Sequence, residues 1–315
     1  MKRILKKAGK IAAITVALIM ALTLILWGAL NILKFAIYSE YYSMESELCK
    51  NPGLSDGFVC QGIAASEEDG VILVSGYMAD KSNSRIYVTD LESNSYYVSL
   101  TREGKKYTGH AGGIALTGDV VYIANAGKLF ILSLSDILAA ENGDILDIGK
   151  GVEVNNDASF VFADERYVYV GEFHDGGKYV KDHPYETPDG KNHAIITRYK
   201  HTNLSSPDKI YSVRDTVQGV AFAPDGTIVL STSHGLASSV YYVYHENDAI
   251  DSGLTLDGAP VYYLTNLKNK IKGPAMSEDM DYSNGSFITL TESASDKYLF
   301  GKFFFANDII SLEIE

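Results

Sequence analysis

One order of segments comes round five times in the chain: a short strand opening on small residues, a tight turn, a β-branched and aromatic strand, and, after a variable gap, a third strand. The copies read QGIAASEEDGVILVSGYM with RIYVTDL, GGIALTGDVVYIANAG with KLFILSL, ASFVFADERYVYVGEFH with AIITRYK, QGVAFAPDGTIVLSTSH with VYYVYH, and SEDMDYSNGSFITLTES with DIISLEI. Alternating apolar residues between Asp, Asn, Gly and Glu turns define strands. A fourth strand can be read at 95–100 (SYYVSL) and at 260–266 (PVYYLTN). Four antiparallel strands repeating every ~40–50 residues define a propeller blade. The expected fold class is therefore all-β, a single β-propeller with five blades counted; a sixth would require residues 39–58 to supply strands. A β-sandwich also offers many short strands, but it does not repeat one segment order at a near-constant interval. The last copy reaches Glu315 after its third strand. Ring closure is then expected from an N-terminal strand, which removes exposed sheet edges.

Ahead of the repeats, KRILKKAGK leads into Ile11–Leu33, which carries no charge. At ~1.5 Å per residue that run crosses ~30 Å of hydrocarbon. It is longer than the apolar core of a cleaved signal peptide, and Trp27, Asn31 and Lys34 stand where a small-x-small cleavage site belongs. The reading is an uncleaved signal anchor, preceded by Lys2, Arg3, Lys6, Lys7 and Lys10 and followed closely by Lys34 alone. This asymmetry predicts a cytoplasmic tail over residues 1–10, a transmembrane segment over 11–33 and everything else outside the cell membrane. Residues 34–57 become a juxtamembrane segment able to close the ring, and 58–315 the ectodomain. Tyr38, Tyr41 and Tyr42 are expected in the outer interface, where amphipathic rings are favoured.

Beyond Lys34 the formal charge is −19, because only six of the 27 cations lie at or before it and no anion precedes Glu40. Nucleic acid is excluded as a partner by that balance. The remaining expectations are an envelope protein or a small polar ligand, with membrane contact through Ile11–Leu33. The two cysteines, Cys49 and Cys60, both fall in the external part, where disulfides persist. A Cys49–Cys60 bridge is expected.

Hairpin geometry places the start of each first strand and the end of each second strand on one face. Those positions carry Gln61 and Tyr77; His110 and Asn125; Asn155, Asn156 and Asp157 with Glu172 and His174; Gln218 and His234; and Glu278 and Asp279 with Glu292. The opposite ends carry the turns EEDG, TGD, ADER, APDG and YSNG, ordinary turn formers. The predicted binding face is thus His110, Asn125, Asn156, Asp157, Glu172, His174, Gln218, His234, Glu278, Asp279 and Glu292. Carboxylates crowded there repel one another without a counter-ion. The loop EFHDGGKYVKDHPYETPDGKNH is long for a blade, and five of the seven histidines lie between 110 and 201. Long loops on rigid scaffolds commonly carry recognition.

Between Gln61 and His234 the chain resembles the calcium-dependent propeller hydrolases, the gluconolactonase, senescence-marker-protein and paraoxonase group. Asn156-Asp157 matches that family's Asn-Asp before its third-blade strand, and QGVAFAPDGTIVLSTSH follows its Asp-Gly hairpin. The resemblance implies a metal at Asn156 and Asp157, with calcium as the cofactor if there is one. Three family ligand positions differ: Gln218 replaces Asn, His234 the Asp that serves as ligand and base, and Gln61 a Glu. Hard cations favour anionic oxygens, so a binding or scaffolding module ranks ahead of a metal-dependent lactonase or esterase. The layout also resembles anchored bacterial propellers to which no activity attaches. Asp157, Glu172 and Glu292 could take the roles of three glycosidase carboxylates by type and rough position alone. No phosphate-loop, H-E-x-x-H or EF-hand motif occurs.

Overall fold

The structure, a computed structural model, describes residues 2–177, 183–304 and 306–314. Five four-stranded antiparallel blades surround a central axis, each running from an innermost first strand outward. The first blade comprises Phe58–Ser66, Val71–Met78, Arg85–Asp90 and Ser95–Arg102; the second Gly113–Thr117, Val120–Asn125, Lys128–Ser133 and Val152–Glu153. Phe160–Ala163, Tyr167–Gly171, Ala194–Lys200 and Lys209–Val213 form the third, and Val217–Phe222, Thr227–Thr232, Ser239–His245 and Asn269–Gly273 the fourth. The fifth consists of Ser277–Ser283, Ser286–Thr291 and Asp308–Leu312, with Glu45–Lys50 as its outermost strand. Chain ends therefore meet in one sheet, with Glu45 opposite Leu312 and Lys50 opposite Asp308.

The small residues that open each copy let the inner strands approach one another. A Cβ on Gly62 would lie 2.5 Å from the Ile114 amide nitrogen of the second blade, and one on Gly113 2.5 Å from Val161 N of the third. One on Gly219 would meet Asp279 Cα, again at 2.5 Å. Where the fifth blade departs from this pattern it places Asp279, wholly buried, whose Oδ2 accepts the Ile114 amide across the axis at 3.4 Å. The repeated Gly-Ile-Ala and Gly-Val-Ala are thus the contact between blades. Apolar side chains of the inner and middle strands fill the wedges between sheets, as Ile63, Val74, Ile288 and Leu290 do between the first and fifth blades.

Two strands differ from expectation. Residues 260–266 do not complete the fourth blade: Ala259–Tyr263 runs parallel to Lys209–Val213 and widens the third, itself flanked by Ile250–Leu256. Asn269–Gly273 takes the fourth place in the fourth blade. Ile145–Asp147 similarly adds a parallel strand outside Ser95–Arg102.

A helix spans Lys2–Ile37, and its segment Lys6–Ile37 is long and apolar enough to cross a membrane, with an 18-residue stretch of mean hydropathy 2.4 that is not buried. A six-residue helix, Ser39–Met44, follows. Here the tyrosines depart from the expected interfacial placing. Tyr41 is buried, its ring stacked 6.0 Å from Tyr241, and the Tyr38 hydroxyl lies 3.1 Å from Ser238 Oγ. Gly273 leaves the space that Tyr41 occupies. The same amphipathic ring suits an interface or a core, and here the fourth blade supplies the core.

Cys49 and Cys60 are also corrected: both are buried free thiols in the apolar layer between the first and fifth blades. Cys60 Sγ donates to Thr291 O at 3.3 Å and accepts from Asn51 Nδ2 at 3.1 Å, so its partners are an amide and a carbonyl rather than sulfur. Burial pushes the Cys60 thiol well up and Cys49 to about 11, which keeps both protonated and unreactive.

Candidate functional site

On the face where first strands begin and second strands end lies a cavity of about 710 Å³. Gln61, Tyr77, His110, Asn125, Asp157, Gln218, His234, Glu278 and Glu292 all line it. The inner strands of three blades carry register shifts, between Cys60 and Gly62, Val217 and Gly219, and Ser277 and Met280. Such bulges re-aim a side chain at the strand's edge. The residues at these irregularities include Gln61, Gln218 and Glu278, all directed to the cavity.

Asn156, Glu172, His174 and Asp279, also expected on this face, do not line the cavity among its described residues. Asn156 is wholly buried: Nδ2 donates to Val170 O at 2.7 Å, and Oδ1 accepts the Ala158 amide at 3.0 Å. Its amide is committed to the third blade's backbone, which leaves Asp157 alone of the pair in the cavity. Asn155 likewise turns away, accepting from Tyr199 OH at 2.6 Å. Glu172 lies inside the third blade with Oε1 2.6 Å from His183 Nδ1 and accepting the Ile195 amide at 3.1 Å. Asp279 serves the axis as described above.

Sequence reasoning missed Lys297, Tyr298, Phe173, Asp175 and Ser159. The first two come from the long connection between the second and third strands of the fifth blade. Lys297 Nζ reaches the hydroxyls of Tyr77 and Tyr298 and lies 4.6 and 4.7 Å from their ring centroids. Tyr77 in turn packs on His110, with ring centroids 4.9 Å apart. The length of that connection was the available signal.

At the fifth-blade side of the cavity stand two buried carboxyl groups, Glu278 (3% exposed) and Glu292 (9%). Gln61 Nε2 donates to Glu292 Oε2 at 2.9 Å. Burial, foremost, holds the Glu292 carboxyl up to about 7, against the opposing pull of Tyr298, Lys297 and Gln61. Glu278 is raised well above the usual range by burial, then by the charges of Glu292 and Asp279. Near neutral pH the pair therefore retains a proton, in the manner of two carboxylates sharing a site.

This carries a stability consequence. A group whose pKa is higher in the folded than in the unfolded chain makes folding take up protons, so stability falls as pH rises from its unfolded to its folded value. For Glu292 that window runs from the ordinary 4.5 to about 7, worth roughly 3 kcal/mol at 1.36 kcal/mol per unit. The exposed carboxylates held low, such as Asp90, Asp119 and Asp147, titrate below that window. Thermal melts are expected to be lower at pH 8 than at pH 5.5, with Glu278→Gln narrowing the gap. An unchanged gap in that variant would refute the acid-pair account.

No family model matches the chain, and no curated protein matches it. Several solved structures of different kinds are similar to the chain at low sequence identity. The WD40 β-propeller domain of Doa1 has a TM-score of 0.41 and 10% identity, covering 78% of this chain and 79% of that one. The PQQ-bound aldose sugar dehydrogenase of Streptomyces coelicolor has a TM-score of 0.40 and 12% identity over 84% and 95%. Hydrazine synthase of Kuenenia stuttgartiensis has a TM-score of 0.40 and 11% identity over 74% of this chain, which spans about half (55%) of that one. The class defined by the fold is a single five-bladed β-propeller with a membrane-length N-terminal helix.

Proposed function

We propose that the protein is an anchored extracytoplasmic propeller that binds a small polar ligand carrying a cationic group at its channel mouth. The observation that carries this reading is the cavity of about 710 Å³ into which Glu278, Glu292, Asp157 and Asp175 converge from the third and fifth blades. Its size suits a small molecule. Amides from Gln61, Asn125 and Gln218 offer orienting hydrogen bonds in both directions. Tyr77 and Tyr298, with Lys297 Nζ already over their rings, wall one side of the cavity. Charge asymmetry around Ile11–Leu33 supports placing the domain outside the cytoplasmic membrane.

A cationic ligand displaces the proton held by the acid pair, so its affinity should strengthen as pH rises toward and through about 7. Calorimetric titration of the full chain in detergent with spermidine, glucosamine and Ca²⁺, at pH 5.5 and 8, tests this. The expected result is binding of an organic cation, at least ~10-fold tighter at pH 8 and weakened at least as much by Glu292→Gln. Binding that ignores both pH and Glu292→Gln would overturn the reading. Calcium-dependent turnover of a lactone or ester, lost in Asp157→Ala, would put hydrolysis first.

A further inference from the structure

We infer that His174, His193 and Asp215 form a binding site for one divalent transition-metal ion of the zinc class, separate from the cavity and independent of what the cavity binds. The three come from different loops at one end of the third blade. His174 follows the strand Tyr167–Gly171, His193 immediately precedes Ala194–Lys200, and Asp215 lies in the passage from Lys209–Val213 to the fourth blade. Backbone bonds fix two of these loops, with the Thr216 amide donating to His174 O at 2.8 Å and the His183 amide to His193 O at 2.9 Å. The imidazoles stack with centroids 4.9 Å apart and planes 19° from parallel.

Both Nδ1 atoms face one carboxylate oxygen: Asp215 Oδ1 lies 3.2 Å from His174 Nδ1 and 3.0 Å from His193 Nδ1. One ligand atom from each residue falls within 4.8 Å of the others. An ion with bonds of 2.0–2.1 Å to nitrogen and oxygen in tetrahedral geometry separates its ligand atoms by about 3.3 Å. The two nitrogen–oxygen edges are already close to that spacing.

A second, independent observation points to a ligand. Among the described residues His174, 7% exposed, buries its Nδ1 without a hydrogen-bond partner, although the Asp215 carboxylate oxygen lies 3.2 Å away. His193 Nδ1, by contrast, does bond to the Asp215 carboxylate. A buried imidazole nitrogen that faces a carboxylate oxygen without a hydrogen bond between them is a buried polar group in need of a partner, and a cation placed between the two supplies one.

The donor set selects the metal. Two imidazole nitrogens and one carboxylate suit zinc, cobalt or iron(II) and disfavour calcium, which prefers six to eight oxygens. Three protein ligands leave a further position for water. Asp215, with 39% of its side chain exposed, marks the open side. His174 also sits between Phe173 and Asp175, which both line the channel mouth, so a bound ion would stiffen that rim.

The test uses the full chain in detergent, stripped with chelator and titrated calorimetrically with Zn²⁺ and, separately, Ca²⁺. One Zn²⁺ per chain is expected. His193→Ala and Asp215→Ala should each weaken it by ~100-fold or more, beyond the 10–100-fold cost of losing an outer-shell partner. His245→Ala, a histidine bonded to Asp225 O at the opposite end of the fourth blade, should bind as the parent does. Binding that survives both ligand variants, or a stoichiometry far below one, would overturn the assignment. Should those variants fail to fold, Co²⁺ added to the unaltered chain decides: intense visible bands of a tetrahedral ion support the site, and the weak spectrum of a six-coordinate aquo ion refutes it.

Discussion

A variant lacking residues 1–50 is expected not to fold cooperatively, whereas one lacking only residues 1–38 should melt as a unit. The difference is the strand Glu45–Lys50. It pairs along Asp308–Leu312, is continued by the Asn51 amide donating to Asn307 O and the Glu313 amide to Met44 O, and is held at one end by the Lys50–Asp308 ion pair. Asn51 also donates from its side chain to Thr291 O at 3.2 Å. Without the strand, Asp308–Leu312 becomes an open sheet edge, a template for aggregation, and Cys49 and Leu48 leave the layer between the first and fifth blades. Each backbone bond contributes ~0.5–1.5 kcal/mol net, so removing a ladder of them consumes much of a domain's ~5–15 kcal/mol. The shorter deletion keeps Tyr41 against Tyr241. Circular dichroism melts of both variants check this, and a cooperative melt within ~5 °C of the parent for the longer deletion would refute it.

The blade count was legible because the inner hairpins recur in sequence as they do in space. Outer strands were less so, for a physical reason visible at Ala259–Tyr263. Its β-branched and aromatic content says that it is a strand, but not that its partner is Lys209–Val213 of the preceding blade, reached by a parallel pairing. Propensity is local, and strand pairing is not.

The candidate cavity divides similarly. Hairpin geometry assigned residues to a face, and nine of the positions read that way, Gln61 to Glu292, do meet around one cavity. It could not say which side chain points outward. Asn156 and Asp157 are adjacent, yet one is folded back onto Val170 O and the other lines the mouth. Both lie in the loop that precedes Phe160–Ala163, where the alternation that assigns faces along a strand does not operate, so a one-residue ambiguity decides between scaffold and site. The His174, His193 and Asp215 grouping was less legible still. Its members lie 19 and 22 residues apart on three loops, and only the closure of the third blade against the fourth brings Asp215 to the histidines.

The glycines at the blade contacts give the sharpest test of the ring itself. Gly219→Ala places a methyl 2.5 Å from Asp279 Cα, 2.7 Å from its Oδ1 and 2.8 Å from Met280 N. Two of these atoms are backbone in the fifth blade's inner strand, which is fixed by the Ile114 amide bonded to Asp279 and by its own hairpin. Relief therefore requires moving one blade against another. Overpacking a tight interior costs ~1–3 kcal/mol and sometimes more, and with no flexible side chain to yield we expect the upper end, ~3 kcal/mol or beyond. Gly70→Ala is the control. It sits in the first blade's turn at φ 64° with nothing within 4 Å of the added methyl, so its cost is confined to left-handed backbone strain of ~1 kcal/mol. Urea denaturation of both should show Gly219→Ala shifted to a far lower midpoint than Gly70→Ala, at similar slope. Equal midpoints would mean that the inner strands are not in the close contact that brings the mouth residues together.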